Sequence, residues 1–338
     1  MSKKYDLIVY IGRFQPFHNA HHEILCRAKA LAEKVVLIIG SSQQPRTYKN
    51  PFTDYERKML MIGDWEVSSY CVKDCMYNDQ AWAVSIQEAV AKEVYNAFYL
   101  QDNVKIGIIG HEKDQSSFYL KMFPQWDHID VECIEPLHST NIRDLYFRND
   151  VNMNFIKGVV PTKVFTFLNE FKDSESYKQI VKEREFIEDY KKQYASFPYP
   201  PTFVTTDAVV IQSGHVLMIK RKSEPGKGLW ALPGGFLNAD TDKSMIDCCI
   251  RELKEETGIK VPVPVLKGNI TNSKVFDAIG RSARGRTITH AFKIVLPDGE
   301  LPKVKGSDDA EKAKWVPIWE LQSEDCFEDH YDIISYFV

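Results

Sequence analysis

Two stretches of this 338-residue chain gather residue types that can do chemistry on phosphate. The first is Gly12-Arg13-Phe14-Gln15-Pro16-Phe17-His18-Asn19-Ala20-His21, with two histidines three positions apart. At a helix start, residues three apart lie near one face. Two imidazoles placed there can donate hydrogen bonds to phosphoryl oxygens and stabilise charge in a pentavalent transition state. A strand-to-helix turn also leaves unpaired N–H groups at a positive helix end, which suits an anion. Gly12 permits close backbone approach, and Pro16 stiffens the turn. Surface histidines or a metal pair would account for an isolated H-x-x-H, but not for the whole string around it.

The second stretch is Arg251-Glu252-Leu253-Lys254-Glu255-Glu256-Thr257-Gly258-Ile259. At about 100° per residue, Glu252, Glu255 and Glu256 share one helix face, while Ile246, Ile250 and Leu253 form another. The apolar stripe can bury while the carboxylates converge on solvent. Such a cluster repels itself unless a cation joins it, and hard divalent cations take oxygen ligands. Gly258 supplies the helix stop. A solvated acidic face would explain the paired glutamates alone. Leu232-Pro233-Gly234-Gly235-Phe236 upstream argues against that reading.

These residues need a scaffold. In the first half, Leu7 to Ile11, Val35 to Ile39, Lys105 to Ile109 and Val131 to Ile134 are compact apolar runs of the kind buried on both faces of a parallel sheet. Helical spacing fills the gaps at His21 to Ala32, Thr53 to Ile62 and Ala81 to Phe98, with Thr53 and Glu56 as a capping box. The alternation predicts an α/β domain with a Rossmann-like, doubly wound parallel sheet. Past residue 170 the texture changes. A charged helical segment runs from Asp173 to Tyr194 and is broken by Phe197-Pro198-Tyr199-Pro200-Pro201. Strand-like runs follow at Val204 to Gln212, Val216 to Lys220, Val263 to Leu266 and Thr287 to Val295, around a helix from Ser244 to Glu256. This half reads as an α+β domain. The division expected is 1–172 for the first domain, 173–200 for a helical linker and 201–338 for the second.

Composition narrows the partners. Lys plus Arg number 43 against 47 for Asp plus Glu, a net charge of −4, without the basic excess of a nucleic-acid binder. No apolar run approaches the roughly 18 to 20 residues that cross a bilayer, so no membrane partner is expected. The seven cysteines are odd in number and scattered, unlike a secreted disulfide framework, and read as reduced thiols of a cytoplasmic protein. Oligomeric state stays open, a homo-oligomer included.

The first string resembles the nucleotidyltransferase superfamily that carries H-x-G-H, and within it the archaeal-type nicotinamide mononucleotide (NMN) adenylyltransferases with G-R-F-Q-P-F-H-x-G-H. Ala20 stands where that family has Gly. A second signature, S/T-x-x-R, is met by Ser139-Thr140-Asn141-Ile142-Arg143, whose hydroxyls and N–H groups would hold the ATP β- and γ-phosphates beside the Arg143 clamp. Lys49-Asn50-Pro51-Phe52-Thr53 with Glu56-Arg57 is similar to the family's N-P-F-T-x-x-E-R segment, and Gly110-His111-Glu112-Lys113-Asp114 resembles a turn of its bacterial members. The resemblance implies attack by the NMN 5′-phosphate on the α-phosphorus of ATP, giving NAD and pyrophosphate. Phosphate is already a competent nucleophile, so the work is alignment and charge neutralisation by His18, His21, Arg13, Arg143 and Mg²⁺. Gly12, Phe14, Gln15, Lys49, Ser139, Thr140 and Asn141 would bind substrate. Trp82 would stack on nicotinamide, unless it is a core tryptophan.

The second stretch resembles the Nudix box, G-x5-E-x7-R-E-U-x-E-E-x-G-U. It implies metal-dependent hydrolysis of a nucleoside diphosphate linked to another group, with Glu252, Glu255 and Glu256 holding Mg²⁺ or Mn²⁺ and Gly234 and Gly235 near the ligand. The box is altered, however: eight residues before Arg251 stands Lys243, not Glu, and the glycine-to-arginine spacing is two residues longer. Asp240 or Asp242 is expected to reach Arg251 instead, and Asp242 suits the helix N-cap. The basic stretch Arg281 to Arg286 is like that of relatives acting on ADP-ribose, with Arg284 and Arg286 as candidate ligands for the diphosphate or ribose. Ser307-Asp308-Asp309-Ala310 is left without a role. Together the halves resemble the bacterial bifunctional NMN adenylyltransferase/ADP-ribose pyrophosphatases. Two alternatives stay open: transfer to another phosphate acceptor beside a Nudix domain of different specificity, and a Nudix half that senses ADP-ribose without cleaving it.

Overall fold

The computed structural model describes residues 3–62, 65–99, 101, 103–111, 115–131, 138–306 and 310–338. Strand β1 (Tyr5–Gly12) is apolar on both sides because helices cover both. Its Ile8 and Tyr10 join one buried cluster, while Leu7, Val9 and Ile11 join another. Helix α1 (Asn19–Leu31) puts Leu25 and Ala28 into the first layer. Strands β2 (Ala32–Ile39), β3 (Ser68–Cys71), β4 (Ile106–Gly110) and β5 (Asp127–Asp130) complete a five-stranded sheet in the order β3-β2-β1-β4-β5. All pairings in it are parallel. Between them lie α2 (Asp54–Ile62), which opens on the Thr53–Glu56 capping box at 2.8 and 3.2 Å, and α3 (Asp79–Ala97), which buries Ile86 and Val90 in the second layer. The strand order reverses direction at β1, so the crevice that binds ligands in such sheets opens at the carboxyl ends of β1 and β4. Gly12 and Gly110 end those two strands.

Two edge strands depart from the sequence expectation. Ser68–Cys71 carries no apolar run, and the fifth strand is Asp127–Asp130, upstream of the run beginning at Val131. Edge strands tolerate polar and charged residues, which hides them from hydrophobic pattern. Glu132 to Ile134 of the predicted run, like Glu112 to Asp114, lie outside the described residues. Helices α4 (Ser139–Tyr146), α5 (Met153–Val159), α6 (Thr162–Phe171) and α7 (Glu175–Lys192) follow. The chain divides into two compact units within α7, Met1–Val181 and Lys182–Val338, inside the segment expected to link the domains.

The second unit is built on β6 (Thr202–Gln212), β7 (His215–Arg221), β8 (Trp230–Ala231), β9 (Gly234–Phe236), α8 (Met245–Thr257), α9 (Val263–Gly268), β10 (Ile270–Phe276), β11 (Arg286–Val295), β12 (Ala310–Pro317) and α10 (His330–Phe337). Its mixed sheet runs β10-β11-β6-β7-β12, with β8 on β7 and β9 on β6. Only β6 and β11 pair in parallel. The predicted strand Val263 to Leu266 is instead the helix α9. Its β-branched residues suggested a strand, but Pro264 falls in the first helical turn, where a missing N–H costs nothing. Among the described residues no helix is long and apolar enough to cross a membrane.

Gly12 has a packing reason that the sequence reading assigned to ligand approach. A Cβ there would sit 2.7 Å from the ring of Phe14, which is 2% exposed and meets Tyr10 edge-on at 5.3 Å. That ring has no room to retreat, so Gly12→Ala should destabilise the first unit by about 1–3 kcal/mol. Urea unfolding followed by tryptophan fluorescence measures it, and an unchanged midpoint would contradict the packing argument.

Candidate active sites

At the end of β1 the chain turns into α1 with His18 as N-cap. The His18 N–H donates to Nδ1 of His21 at 3.3 Å, and the two imidazoles stack with centroids 3.7 Å apart. His21 also packs on Phe14 and Phe17, so the pair is braced from the core side. The second motif meets the first through space. Arg143, on α4, is buried and donates to the Gln15 carbonyl at 2.7 Å and to Thr140 Oγ1 at 3.2 Å. Ser139 Oγ donates to the Pro16 carbonyl at 3.1 Å. Two helix N-termini, two imidazoles and a guanidinium therefore share one turn. Burial, and after it the neighbouring Arg13, pushes the Arg143 pKa down to about 10, which still leaves it charged at neutral pH. Cations packed this closely favour an anion between them.

Several expected ligand residues make contacts within the fold. The Phe14 side chain is core. Gln15 is 1% exposed, and its amide pairs with the Phe52 backbone in both directions, at 2.8 and 3.0 Å. It joins the first motif to the Asn50-Pro51-Phe52-Thr53 segment. Trp82 is half-buried beside Phe123 and Tyr119. Lys49 is exposed on its loop, as are Thr140 and Asn141 at the start of α4.

Arg57 was not singled out from sequence. It is 1% exposed and donates to the carbonyls of Arg13 at 2.7 Å, Gly40 at 2.6 Å and Ser41 at 3.0 Å. It thereby fixes the loops at the ends of β1 and β2. The only sequence signal was its place in the N-P-F-T-x-x-E-R segment.

The second site is a cavity of about 330 Å³ in the C-terminal unit. Glu252 and Glu256 project into it from α8, Gly234 and Gly235 line it from β9, and Asp207, Arg221, Arg284, Glu328 and His330 close it. Ile250 and Leu253 hold the other face of α8 in the core, with Ile246 partly buried. Gly258, at φ 58°, ends the helix. Glu256 does not face open solvent as expected. It is 8% exposed, and its carboxylate accepts from the Gly234 N–H at 2.9 Å. Burial foremost, opposed by that hydrogen bond, raises its pKa to about 8, and burial raises Glu252 as well. Gly234 is a steric necessity, while a side chain at Gly235 would displace the Glu252 carboxylate. A Cβ on Gly235 would lie 2.5 Å from the Glu252 carboxylate, and one on Gly234 would lie 2.1 Å from the Thr206 carbonyl.

Glu255 does not join this set. It lies outside the cavity and accepts from Arg251 at 2.9 Å. Among the described residues no three His, Cys, Asp or Glu side chains are grouped to hold a metal ion by themselves. The donors still fit a hard divalent cation shared with phosphate oxygens: two adjacent carboxylates, one deeply buried, are costly to ionise together until a cation joins them. Arg284 lines the cavity with its guanidinium 5.0 Å over the Phe236 ring. Arg286 does not line it and donates to the Asp277 carbonyl at 2.6 Å. Ser307 to Asp309 lie outside the described residues.

The altered box is repaired as expected, by Asp242. Its two oxygens accept from Arg251 at 2.9 and 2.8 Å, while Arg251 also holds Glu252 at 2.8 Å. The pairing keeps the Asp242 carboxyl well below the usual carboxylate range. Asp240 is exposed. The helix N-cap is Ser244, not Asp242: its Oγ accepts from the Asp247 N–H at 3.2 Å.

Fold and sites together define a nucleotidyltransferase unit joined to a Nudix unit. The cytidylyltransferase-like family model matches residues 9–145, and the NUDIX domain model matches residues 201–337. The nicotinamide/nicotinic acid mononucleotide adenylyltransferase of Acinetobacter baylyi is 35% identical over 184 residues, 52% of this chain and 92% of that protein. The ADP-ribose pyrophosphatase of Methanocaldococcus jannaschii is 35% identical over 141 residues, 42% of this chain and 73% of that one. A crystal structure of a bifunctional NMN adenylyltransferase/ADP-ribose pyrophosphatase from Francisella tularensis, complexed with AMP and a manganese ion, matches over 98% of both chains at 34% identity and a TM-score of 0.86. The chain belongs to the family of bifunctional NMN adenylyltransferase/ADP-ribose pyrophosphatases.

If Asp242 replaces the missing glutamate, Asp242→Asn should lower the hydrolysis rate tenfold or more, with a smaller change in the metal concentration needed. Lys243→Glu should leave the rate within about twofold. A many-fold gain from Lys243→Glu over a barely detectable starting rate would favour a sensor.

Proposed function

We propose that the N-terminal unit joins NMN to the adenylyl group of ATP, forming NAD and pyrophosphate, and that the C-terminal unit hydrolyses ADP-ribose to AMP and ribose 5-phosphate. The observation that carries the first half is the convergence of Arg143 and the stacked His18–His21 pair on one turn through the Gln15 carbonyl. In this reading His18 and His21 donate to oxygens of the α-phosphate as negative charge builds there, and Arg143 with Arg13 neutralises the leaving pyrophosphate. The hydroxyls of Ser139 and Thr140 and the N–H groups at the start of α4 orient the β- and γ-phosphates. No side chain need act as base, because the attacking phosphate is already anionic.

The buried carboxylate pair, Glu252 and Glu256, carries the second half. These two glutamates would hold a hard divalent cation, Mg²⁺ or the Mn²⁺ that the Francisella tularensis protein was crystallised with, which would supply Lewis acidity toward the diphosphate and its attacking water. Gly234 positions Glu256 through its N–H, Arg251 aims Glu252, and Arg284 offers a guanidinium to the ligand's anionic or ribose oxygens.

With the motifs on separate units, the activities should separate. His18→Ala or Arg143→Ala should lower NAD synthesis by about a hundredfold or more and leave ADP-ribose cleavage near wild type. Loss of both activities in a folded variant would overturn the two-site reading. Conversely, Glu252→Gln or Glu256→Gln should reduce hydrolysis at least a hundredfold, since a neutral amide oxygen is a far weaker ligand for the cation than a carboxylate and offsets none of its charge. Product identification by mass, with NMN plus ATP in one assay and ADP-ribose in another, tests both halves.

A further inference from the structure

His330 opens α10 and is 7% exposed, yet its ring is part of the wall of the Nudix cavity. Its Nδ1 lies 2.9 Å from the backbone nitrogen of Leu232. That N–H can only donate, so Nδ1 must be the unprotonated, accepting nitrogen, and a neutral ring then carries its proton on Nε2. Burial lowers the His330 pKa. Asp207 and Asp329 oppose that effect and Arg281 and Arg221 reinforce it, so the ring is neutral near pH 7. Among the described residues the side chain makes no second hydrogen bond. Nε2 is not among the buried side-chain atoms that lack a partner, so it borders the cavity, where its N–H is available to an acceptor that enters.

We propose that His330 is a substrate-binding residue of the hydrolase site, presenting Nε2–H to an acceptor oxygen of the bound nucleoside diphosphate sugar. The inference rests on the hydrolase reading of this cavity. The contact with Leu232 sets its geometry. Leu232 lies two residues before Gly234, whose N–H holds the Glu256 carboxylate, so one loop aligns a donor for the ligand with a carboxylate for the cation. The Phe327 ring, 5.5 Å away, braces the imidazole from beside it. The tautomer is locked by the main chain, so the donor is in place before the ligand arrives.

The two nitrogens can be tested apart in the full-length chain. In His330→Asn the amide oxygen can take the place of Nδ1, keeping the Leu232 contact while the Nε2 donor is lost. His330→Gln does the reverse, placing an amide N–H where Nε2 was. With ADP-ribose as substrate, kcat/KM should fall about tenfold or more in His330→Asn, mainly through KM, and fall less in His330→Gln. The opposite ranking, or two variants at wild-type kcat/KM, would overturn the proposal. If both fall alike or do not fold, the imidazole ¹⁵N spectrum of the wild-type chain decides. ADP-ribose added without divalent cation should shift Nε2 of His330 and leave Nδ1 in place, and an unmoved Nε2 counts against the proposal. A wild-type chain that leaves ADP-ribose uncleaved would instead count against the hydrolase reading.

Discussion

The hydrogen bond from the Arg143 guanidinium to the Gln15 carbonyl joins two motifs separated by more than a hundred residues. A charge taken out of water is costly unless polar partners replace its hydration. The chain supplies those partners from the turn between β1 and α1. The same device recurs with opposite sign in the second unit, where the buried Glu256 carboxylate accepts from the Gly234 N–H. In each case a functional charge is anchored to main chain, so the geometry of the loop and the position of the charge are set together.

Around those anchors, residues that look like ligand binders are largely devoted to support. Gln15 fastens the first loop to Phe52, Arg57 gathers three carbonyls at the ends of two strands, and Phe14 fills the space left by Gly12. Arg251 does similar work in the second unit, drawing Asp242, Glu252 and Glu255 to one guanidinium. Planar, multidentate arginine suits this bracing role, which a lysine could not fill. The chemistry at each site is left to few groups, with the shell around them rigid enough to hold an aligned geometry.

The departure at Lys243 shows how such a site tolerates change. The need is for an anion beside Arg251, and not for a glutamate at one position. Asp242 meets it from a loop whose extra length shortens the required side chain. The N-cap role then passes to Ser244.

Sequence alone determined what depends on residue type and local period. The doubly wound sheet was legible because β1 and β2 carry apolar residues on both faces. The acidic helix α8 was legible because its stripe and its acids repeat at helical spacing, with Gly258 to end it. That an aspartate of the longer loop would meet Arg251 followed from charge complementarity across a counted gap, and the structure chose Asp242 over Asp240. What sequence could not decide depends on direction in space. Whether Glu255 or Glu256 turns into the cavity, whether Arg284 or Arg286 lines it, and whether Gln15 faces a ligand or Phe52 are settled by how distant strands and loops close around each side chain. Polar edge strands escaped for a related reason: their pairing is made by backbone groups, which leave no mark in residue type. His330 escaped too, since a histidine far along the chain acquires its meaning only when the Leu232 N–H meets one of its nitrogens.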